Sequence, residues 1–180
     1  MMSTYTEQEL KYRNIAIIGG GASGGFCAVL LSKNPLSNIC IFDERPVFST
    51  LLPTGGGRCN ISYNELDVKE YIKNYPRGNK FLLSIFSKFG VDETRKLFKD
   101  LGISTYVQKD NRIFPSSNSS KDVVSKLSKH LQSVEIKKEN VINIKKINEK
   151  FHIRTKNNKY KFDIVVMATG GKGNGFEIAK

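Results

Sequence analysis

The residues whose types and spacing best suit a chemical role are six small ones in a row: Gly19, Gly20, Gly21, Ala22, Ser23 and Gly24. They follow directly on the apolar run Ile15 to Ile18, and this order predicts a tight passage from a strand into a helix. Gly19 would take backbone angles that a Cβ disfavours, Gly21 would let a pyrophosphate approach the backbone, and Gly24 would let the helix pack close to its strand. Because the positive end of that helix attracts anions without a side-chain charge, the pattern predicts a dinucleotide phosphate site.

The residues after the glycine run supply the context that this interpretation needs. A helix is predicted over Ala22 to Lys33, and a second short apolar strand over Asn38 to Asp43. At the end of that strand the Asp43 carboxylate can accept hydrogen bonds from the hydroxyls of an adenosine ribose, with Glu44 as the alternative acceptor. A glycine-rich turn in an ordinary α/β domain remains the competing interpretation.

Composition limits the class of protein. The chain has 180 residues, of which 39% are hydrophobic, so it can bury the core of one soluble domain. No apolar run is long enough to span a membrane and no signal-peptide layout is present, so we expect a cytoplasmic protein with no membrane partner. The net charge of +12 comes from lysines spread along the chain, which does not indicate a nucleic-acid surface.

Three cysteines, Cys27, Cys40 and Cys59, are odd in number and form no Cys-x-x-Cys pair. We therefore expect reduced thiols and no metal site.

A helical excursion is predicted over residues 65–131, after a loop from Arg45 to Asn64. This excursion contains apolar residues at helical spacing from Phe81 to Phe89 and from Leu97 to Leu101, which predict two helices. We expect their apolar stripes to be buried in the core, and Asp92 to cap the second helix. Ser104 to Gln108 and Arg112 to Phe114 predict a hairpin, and Ser119 with Asp122 predicts the start of a further helix.

The remaining elements predict strands. Val134 to Lys137 is a third strand, residues 141–162 form a three-stranded antiparallel meander, and Asp163 to Met167 is a buried strand that ends in Ala168-Thr169-Gly170-Gly171. The fold class is therefore α/β: a Rossmann-like domain over residues 14–180, with a parallel sheet, the meander and the helical excursion, after a polar extension over residues 1–13. Since ligands of such sheets bind at the carboxyl ends of the strands, one site can use both glycine motifs.

Three motifs carry a resemblance to a known family: Thr54-Gly55-Gly56-Gly57-Arg58-Cys59-Asn60, Arg112-Ile113-Phe114-Pro115 and Ala168-Thr169-Gly170-Gly171. With the glycine run, they resemble the bacterial flavoproteins with two dinucleotide-binding domains that include aminoacetone-oxidase-like and bile-acid dehydro-reductase-like members. The resemblance implies FAD as the tightly held nucleotide, with NAD(P)H or a small organic molecule as the reaction partner. It departs in two respects, since this chain has Ser49-Thr50 where the family usually has a basic residue, and family members are about twice as long.

The resemblance also implies roles for individual residues. The glycine run would hold the pyrophosphate, Asp43 the ribose, and the backbone of Val141 would meet adenine. Ala168, Thr169 and Gly170 would lie along the cofactor, and the loop with Arg58, Cys59 and Asn60 would approach the flavin. A loop salt bridge for Arg58 and simple packing for Cys59 are the alternatives.

These features lead to a hypothesis with one main alternative. The chain is the FAD-binding portion of a flavin-dependent oxidoreductase, in which a hydride passes between FAD and a small organic substrate or NAD(P)H, and no catalytic residue is assigned. Alternatively, it is a nonenzymatic nucleotide-binding module, a truncated or split product that needs a partner chain or a missing domain. An NAD-dependent dehydrogenase is disfavoured because that plan has no place for the meander. Because the chain stops within an apparent helix at Phe176 to Lys180, activity of these 180 residues by themselves is left open.

Overall fold

The computed structural model of the chain describes residues 12–171 and 175–178. The strands in this part of the chain are β1 (Arg13–Ile18), β2 (Ser37–Phe42), β3 (Ser62–Tyr63), β4 (Thr105–Val107), β5 (Arg112–Pro115), β6 (Glu135–Lys137), β7 (Val141–Ile147), β8 (Lys150–Thr155), β9 (Lys159–Phe162) and β10 (Ile164–Met167). The α-helices are α1 (Ala22–Leu31), α2 (Val68–Ile72), α3 (Asn79–Phe86), α4 (Val91–Asp100), α5 (Ser120–Ser128) and α6 (Gly175–Ile178). Of the extension predicted over residues 1–13, only Tyr12 and Arg13 are described, and Arg13 is the first residue of β1. The chain end at Lys180 also lies outside the described residues.

Two compact units make up the chain, one of residues 1–50 and 128–180, the other of residues 51–127. The first unit contains a four-stranded parallel sheet in the order β10-β1-β2-β6. The inner strands β1 and β2 are paired in register, Ile15 opposite Ile39, and their last four residues are buried. The predicted strands at 134–137 and 163–167 pair with β2 and β1 as β6 and β10. The expectation that the strand at 163–167 is buried is wrong, because β10 lies at the edge of the described sheet and Ile164 and Met167 at its ends are exposed.

The three-stranded meander is confirmed as β7-β8-β9, an antiparallel sheet in the same unit. Asn148 and Glu149, the two residues between β7 and β8, both have positive φ (46° and 61°), as a type I′ hairpin turn requires. The meander covers one face of the parallel sheet. Their shared core consists of Ala16, Ile18, Cys40, Phe42, Val141, Ile153, Phe162 and Ile178.

The second unit contains the helical excursion and a small antiparallel sheet in the order β3-β5-β4. The predicted hairpin is confirmed as β4 and β5, with Tyr106 opposite Phe114. Asn111 in its turn has a φ of 63°. The predicted cap of α5 is confirmed as well, because the Ser119 hydroxyl accepts a hydrogen bond from the Asp122 N–H at 3.3 Å.

Two expectations for the excursion are wrong. The apolar stripe predicted as core along α3 is not buried: Phe81 on this helix is 71% exposed, whereas Phe98 on α4 is buried as expected. Asp92 is not the cap of α4, since Gly90 holds that position. The Glu93 carboxylate accepts the Gly90 N–H at 2.8 Å, so a side chain inside the helix replaces the expected cap.

The α/β class, with a parallel sheet, an antiparallel meander and a helical excursion, is therefore confirmed. Among the described residues, the helices are all too short or too polar to cross a lipid bilayer.

Candidate functional site

The glycine run forms the predicted turn between β1 and α1. Gly19 has a φ of 104°, and its N–H donates to the Phe42 carbonyl at 2.9 Å. A Cβ on Gly19 would lie 2.4 Å from the Ala168 carbonyl oxygen, and one on Gly24 would lie 1.8 Å from the Gly19 carbonyl oxygen. Both approaches are closer than any side chain allows, so the turn requires glycine at these two positions.

Gly21 is the N-cap residue of α1 and provides no side-chain cap. The first turn of a helix has backbone N–H groups with no partner inside the helix, and they attract anions. Ser23 adds a hydroxyl in this turn. The site therefore offers hydrogen-bond donors without a charged side chain in the glycine run.

Asp43 lies directly after β2 and faces the glycine run. Its Oδ2 accepts the Gly20 N–H at 2.8 Å, and its Oδ1 accepts the Arg45 N–H at 2.9 Å. The Arg45 Nε lies 3.6 Å from the same Oδ1. A carboxylate has about four acceptor sites, so these contacts orient Asp43 and leave capacity for further donors such as ribose hydroxyls.

The end of β10 completes this edge of the sheet. Ala168 follows the strand, and its N–H donates to the Ile18 carbonyl at 2.8 Å. Gly170 has a φ of 71°, which turns the chain away from the strand end. The sequences after β1, β2 and β10 therefore meet at the carboxyl ends of three neighbouring parallel strands.

Two adjoining cavities lie at these strand ends, and Gly19, Asp43, Arg45 and Thr169 line both of them. The larger, of about 550 Å³, adds Gly21, Ala22, Ser23, Thr50, Met167, Ala168, Gly170 and Gly175. The smaller, of about 480 Å³, adds Ile18, Phe42, Glu44, Glu139, Asn140 and Val141. Predicted residues from the glycine run, the β2 end, the β7 start and the β10 end are thus brought together, in a volume typical of ligand sites.

Arg45 and Thr50 also line the larger cavity, although neither was predicted as a site residue. Thr50 Oγ1 accepts the Ala22 N–H at 3.2 Å and so lies at the amino end of α1. Its only signal in the sequence is the departure from the family's usual basic residue. Nothing in the residues around Arg45 indicated a place in the site, because Arg45 is held there by its contacts with the Asp43 side chain.

Glu139 borders the smaller cavity as a structural acceptor. Its carboxylate accepts hydrogen bonds from the hydroxyls of Thr155 and Tyr160, both at 2.6 Å, and from Asn158 Nδ2 at 3.1 Å. These donors hold the pKa of Glu139 below its usual range, with the Thr155 bond as the largest cause. The Glu139 carboxylate therefore carries its charge at neutral pH.

Arg58, Cys59 and Asn60 belong to the second unit, in the loop after the 3-10 turn Thr54–Gly57. The Arg58 Nε donates to the Gly55 carbonyl at 3.2 Å and Nη1 donates to Gln108 Oε1 at 2.9 Å. Its guanidinium also lies 4.0 Å from the centre of the Phe114 ring. Arg58 therefore makes two hydrogen bonds and a stacking contact, and no salt bridge to it occurs among the described residues.

Cys59 and Asn60 differ in exposure. Cys59 is buried, and burial raises the pKa of its thiol, while its N–H donates to the Thr54 carbonyl at 2.9 Å. Asn60 is exposed. The approach of this loop to a flavin stays a prediction. In the part of the chain that the structure describes, no cluster of His, Cys, Asp and Glu is arranged to hold a metal ion.

Comparison with protein families gives a match over residues 13–175 to the HI0933-like protein Rossmann domain. The 3-dehydro-bile acid delta(4,6)-reductase of Clostridium scindens is 28% identical over 92% of this chain and 43% of its own length. The ribosomal RNA dihydrouridine synthase of Haemophilus influenzae is 32% identical over 56% of this chain and 24% of its own length. The chain thus spans less than half the length of these relatives.

Comparison with solved structures shows the same fold. The crystal structure of Thermovibrio ammonificans THI4 aligns with a TM-score of 0.51 and 16% identity, over 92% of this chain and 60% of that chain. At this identity the likeness concerns the fold alone. The family resemblance inferred from the motifs is confirmed by the family match.

Proposed function

The chain belongs to the family of HI0933-like proteins with a Rossmann domain, and we propose that it is the FAD-binding portion of a flavin-dependent oxidoreductase. One observation carries the proposal: the glycine run, Asp43 and the residues after β10 line one cavity at the carboxyl ends of parallel strands. That edge of an open α/β sheet is where dinucleotides bind.

The residues present fit the pyrophosphate and the adenosine of such a cofactor. The turn at Gly19 and Gly24 has no room for a Cβ, so only glycine permits so tight a passage from β1 into α1. Gly19 and Gly21 line the larger cavity, where a phosphate would approach their backbone. Asp43 would accept the ribose hydroxyls through the acceptor sites that Gly20 and Arg45 leave free. Val141, at the start of β7, would place its backbone beside adenine in the adjoining cavity.

When bound, FAD supplies the redox chemistry by taking up or releasing a hydride at its flavin ring. The protein's own task is to bind and orient the cofactor and to exclude water. In this proposal Ala168, Thr169 and Gly170 lie along the cofactor. We also propose that Arg58, which contacts Gly55, Gln108 and Phe114 within the second unit, would balance negative charge on the phosphate or the reduced flavin.

We propose that the hydride partner is NAD(P)H or a small organic molecule. The Clostridium scindens relative, named as a reductase of a 3-dehydro-bile acid, supports an organic substrate. Because this chain spans 43% of that protein, a segment beyond these 180 residues or a partner chain would supply the substrate pocket. The same coverage of 43% also supports the alternative, a nonenzymatic FAD-binding module.

Binding of FAD tests the first part of the proposal. The purified chain should acquire flavin absorbance and a higher melting temperature when FAD is added, because a ligand that binds only the native state stabilises it. NAD at the same concentration is the comparison and should raise the melting temperature less. A chain that stays colourless, with an unchanged melting temperature, would contradict the proposal.

Turnover is tested separately on the FAD-loaded chain. Loss of flavin absorbance on anaerobic addition of NADH or NADPH would support the oxidoreductase. Stable FAD binding without reduction by either nucleotide would favour the nonenzymatic module.

A further inference from the structure

The three-stranded meander carries a large share of the charge of the chain. Its 22 residues, 141–162, contain seven of the 29 Lys and Arg residues and one of the 17 Asp and Glu residues. The meander therefore accounts for a net charge of +6, half of the +12 of the whole chain. Along the sequence these cations are interleaved with apolar residues, so only the pairing of the strands shows whether they are grouped.

The strand register places most of these cations on one face of the meander. Ile144, Ile153 and Tyr160 are paired across the three strands and pack on the core. Because successive side chains of a strand point to opposite faces, the residues next to these three point away from the core. They form two cross-strand rows, which we call the basic face: Lys145, His152 and Lys161 in one row, and Arg154 and Lys159 in the other.

The charges of the basic face have no acidic partner within the protein. Its four Lys and Arg side chains are exposed, and none of them forms a salt bridge among the described residues. Two acids border the strands, Glu149 in the turn after β7 and Asp163 after β9, but they are paired with Lys146 and Lys150. The positive charge of the face is therefore not neutralised by neighbouring residues.

This arrangement disfavours the meander when nothing else is bound to it. Arg154 lies directly opposite Lys159, and His152 lies between Lys145 and Lys161. Like charges directly opposite each other on antiparallel strands repel and destabilise the pair. Covering the core requires only the other face of the sheet, so it does not account for cations here. The basic face is instead complementary to a ligand that carries several negative charges.

The side chains of the basic face favour one class of such ligands. Single-stranded nucleic acids bind to aromatic side chains on which the bases stack, and the basic face has none, since Tyr160 points to the core. Membrane-binding surfaces place an apolar stripe in the lipid interface. Within the meander, all of which the structure describes, the exposed large apolar residues are Ile142 and Ile147 near opposite ends of β7, and they form no stripe. Regularly repeated phosphates of a duplex require only cations.

We propose that the basic face binds the phosphate backbone of a nucleic-acid duplex, with its four Lys and Arg side chains contacting the phosphates. RNA and DNA duplexes share this chemistry, and the test separates them. Contacts to phosphates carry no sequence information directly, so the face holds a duplex without selecting a sequence. The inference concerns the meander alone and is independent of the proposed FAD function.

Fluorescence anisotropy with short labelled duplexes, one of RNA and one of DNA, tests the proposal on the full chain. With four phosphate contacts, the affinity should fall roughly hundredfold between about 50 mM and 200 mM salt, because counterions are released on binding. Arg154→Gln combined with Lys159→Gln removes two contacts, so the same change of salt should then lower the affinity only about tenfold. Lys33→Gln combined with Lys129→Gln is the matched control, since it removes two exposed charges outside the meander and should keep the dependence of the wild type.

A second pair of substitutions and a folding check accompany this comparison. Lys145→Gln combined with Lys161→Gln should reduce the salt dependence as much as the first pair does. Both variants of the basic face should melt at the temperature of the wild type or above it, because repulsion between opposite cations is relieved. A loss of binding in a variant that is folded by this criterion is therefore a loss of contacts.

The outcomes separate the basic face from the alternatives. Salt-dependent binding of the RNA duplex, the DNA duplex or both, weakened by the substitutions in the basic face but not by the control, supports the inference and identifies the ligand. Equal losses in the basic-face variants and the control variant would mean that net charge alone attracts the duplex, which overturns it. No binding of either duplex at low salt overturns it too, as does binding only to vesicles that contain phosphatidylglycerol or to a single-stranded oligonucleotide.

Discussion

The ring of Phe48 fills the space where Gly25, on the second turn of α1, would carry a side chain. A Cβ on Gly25 would lie 2.3 Å from Cε1 of Phe48. Phe26 meets the same ring edge to face, with 5.8 Å between the ring centres. The contact therefore holds the turn after β2 against the helix that follows the glycine run.

Replacing Gly25 by alanine should therefore destabilise the protein. The added methyl group displaces a buried ring, and overpacking of this kind costs about 1–3 kcal/mol. Chemical denaturation of Gly25→Ala and the wild type measures the difference. The double variant with Phe48→Leu is the control, because the smaller side chain makes room for the methyl group. If the stability loss of the double variant equals the sum of the losses of Gly25→Ala and Phe48→Leu measured separately, the two residues are not coupled.

Asp43→Asn should weaken binding of FAD. The substitution removes the charge that accepts hydrogen bonds from ribose hydroxyls, and hydrogen bonds to charged groups contribute about 1.5–3 kcal/mol, or roughly tenfold to hundredfold in affinity. Titration calorimetry with FAD measures the change. Glu44→Gln is the matched control, since Glu44 is exposed and lines only the adjoining cavity, and it should bind as the wild type does. The opposite result would assign the ribose to Glu44.

The stability of the first unit should depend on pH through Asp163, the residue between β9 and β10. Its carboxylate accepts hydrogen bonds from the Lys150 ammonium and, at 2.9 Å, from the Asn14 N–H. These bonds, the Lys150 bond first, lower the pKa of Asp163 in the folded state. The stabilisation is therefore complete above the unfolded pKa of about 3.9 and is lost as the pH falls through the folded value.

Melting temperatures of the wild type and Asp163→Asn across an acid titration check this dependence. The wild type should melt higher at neutral pH, and the difference should shrink below about pH 4. Glu149→Gln is the control: Glu149 pairs with Lys146 at 3.1 Å, but its side chain is 90% exposed, and such pairs contribute little. A difference that is constant down to strongly acid pH would contradict the role of the Asp163 charge.

Among the three cysteines, Cys27 should react first with an alkylating reagent. Burial raises the pKa of all three thiols, and Cys40 is raised to about 12 by its burial and then by Glu135. Cys27 is the one that is not fully buried. Because the thiolate is the reactive form, Cys40 and Cys59 should be modified slowly in the native protein.

Mass spectrometry after iodoacetamide treatment at neutral pH measures the order of modification, and the unfolded protein, in which all three should react alike, is the control. Cys59 reacting first would contradict the order expected from burial.

Much of the fold was predictable because its signals are local. The apolar runs of β1 and β2, the alternation in the meander and the turn residues around Asn111 each specify an element from its own residues. The spacing of Gly19, Gly21 and Gly24 indicated the turn for the same reason. The burial of α3 was mispredicted because an apolar stripe shows that a helix has an apolar face, but not that a neighbour covers it.

By itself, then, the sequence determined the family, the α/β class and the segments that form the candidate site. Tertiary structure decided how residues distant in sequence complete that site: Gly20 is bound by Asp43, Gly25 is packed by Phe48, and Ala22 is bound by Thr50. These pairs depend on the path of the chain after β2. The chain turns at Phe48, which has a positive φ although it is not a glycine, so the sequence gives no local signal for this turn. Such a conformation is stable only because the buried ring and the surrounding contacts hold it, and contacts of that kind exist only in the folded chain.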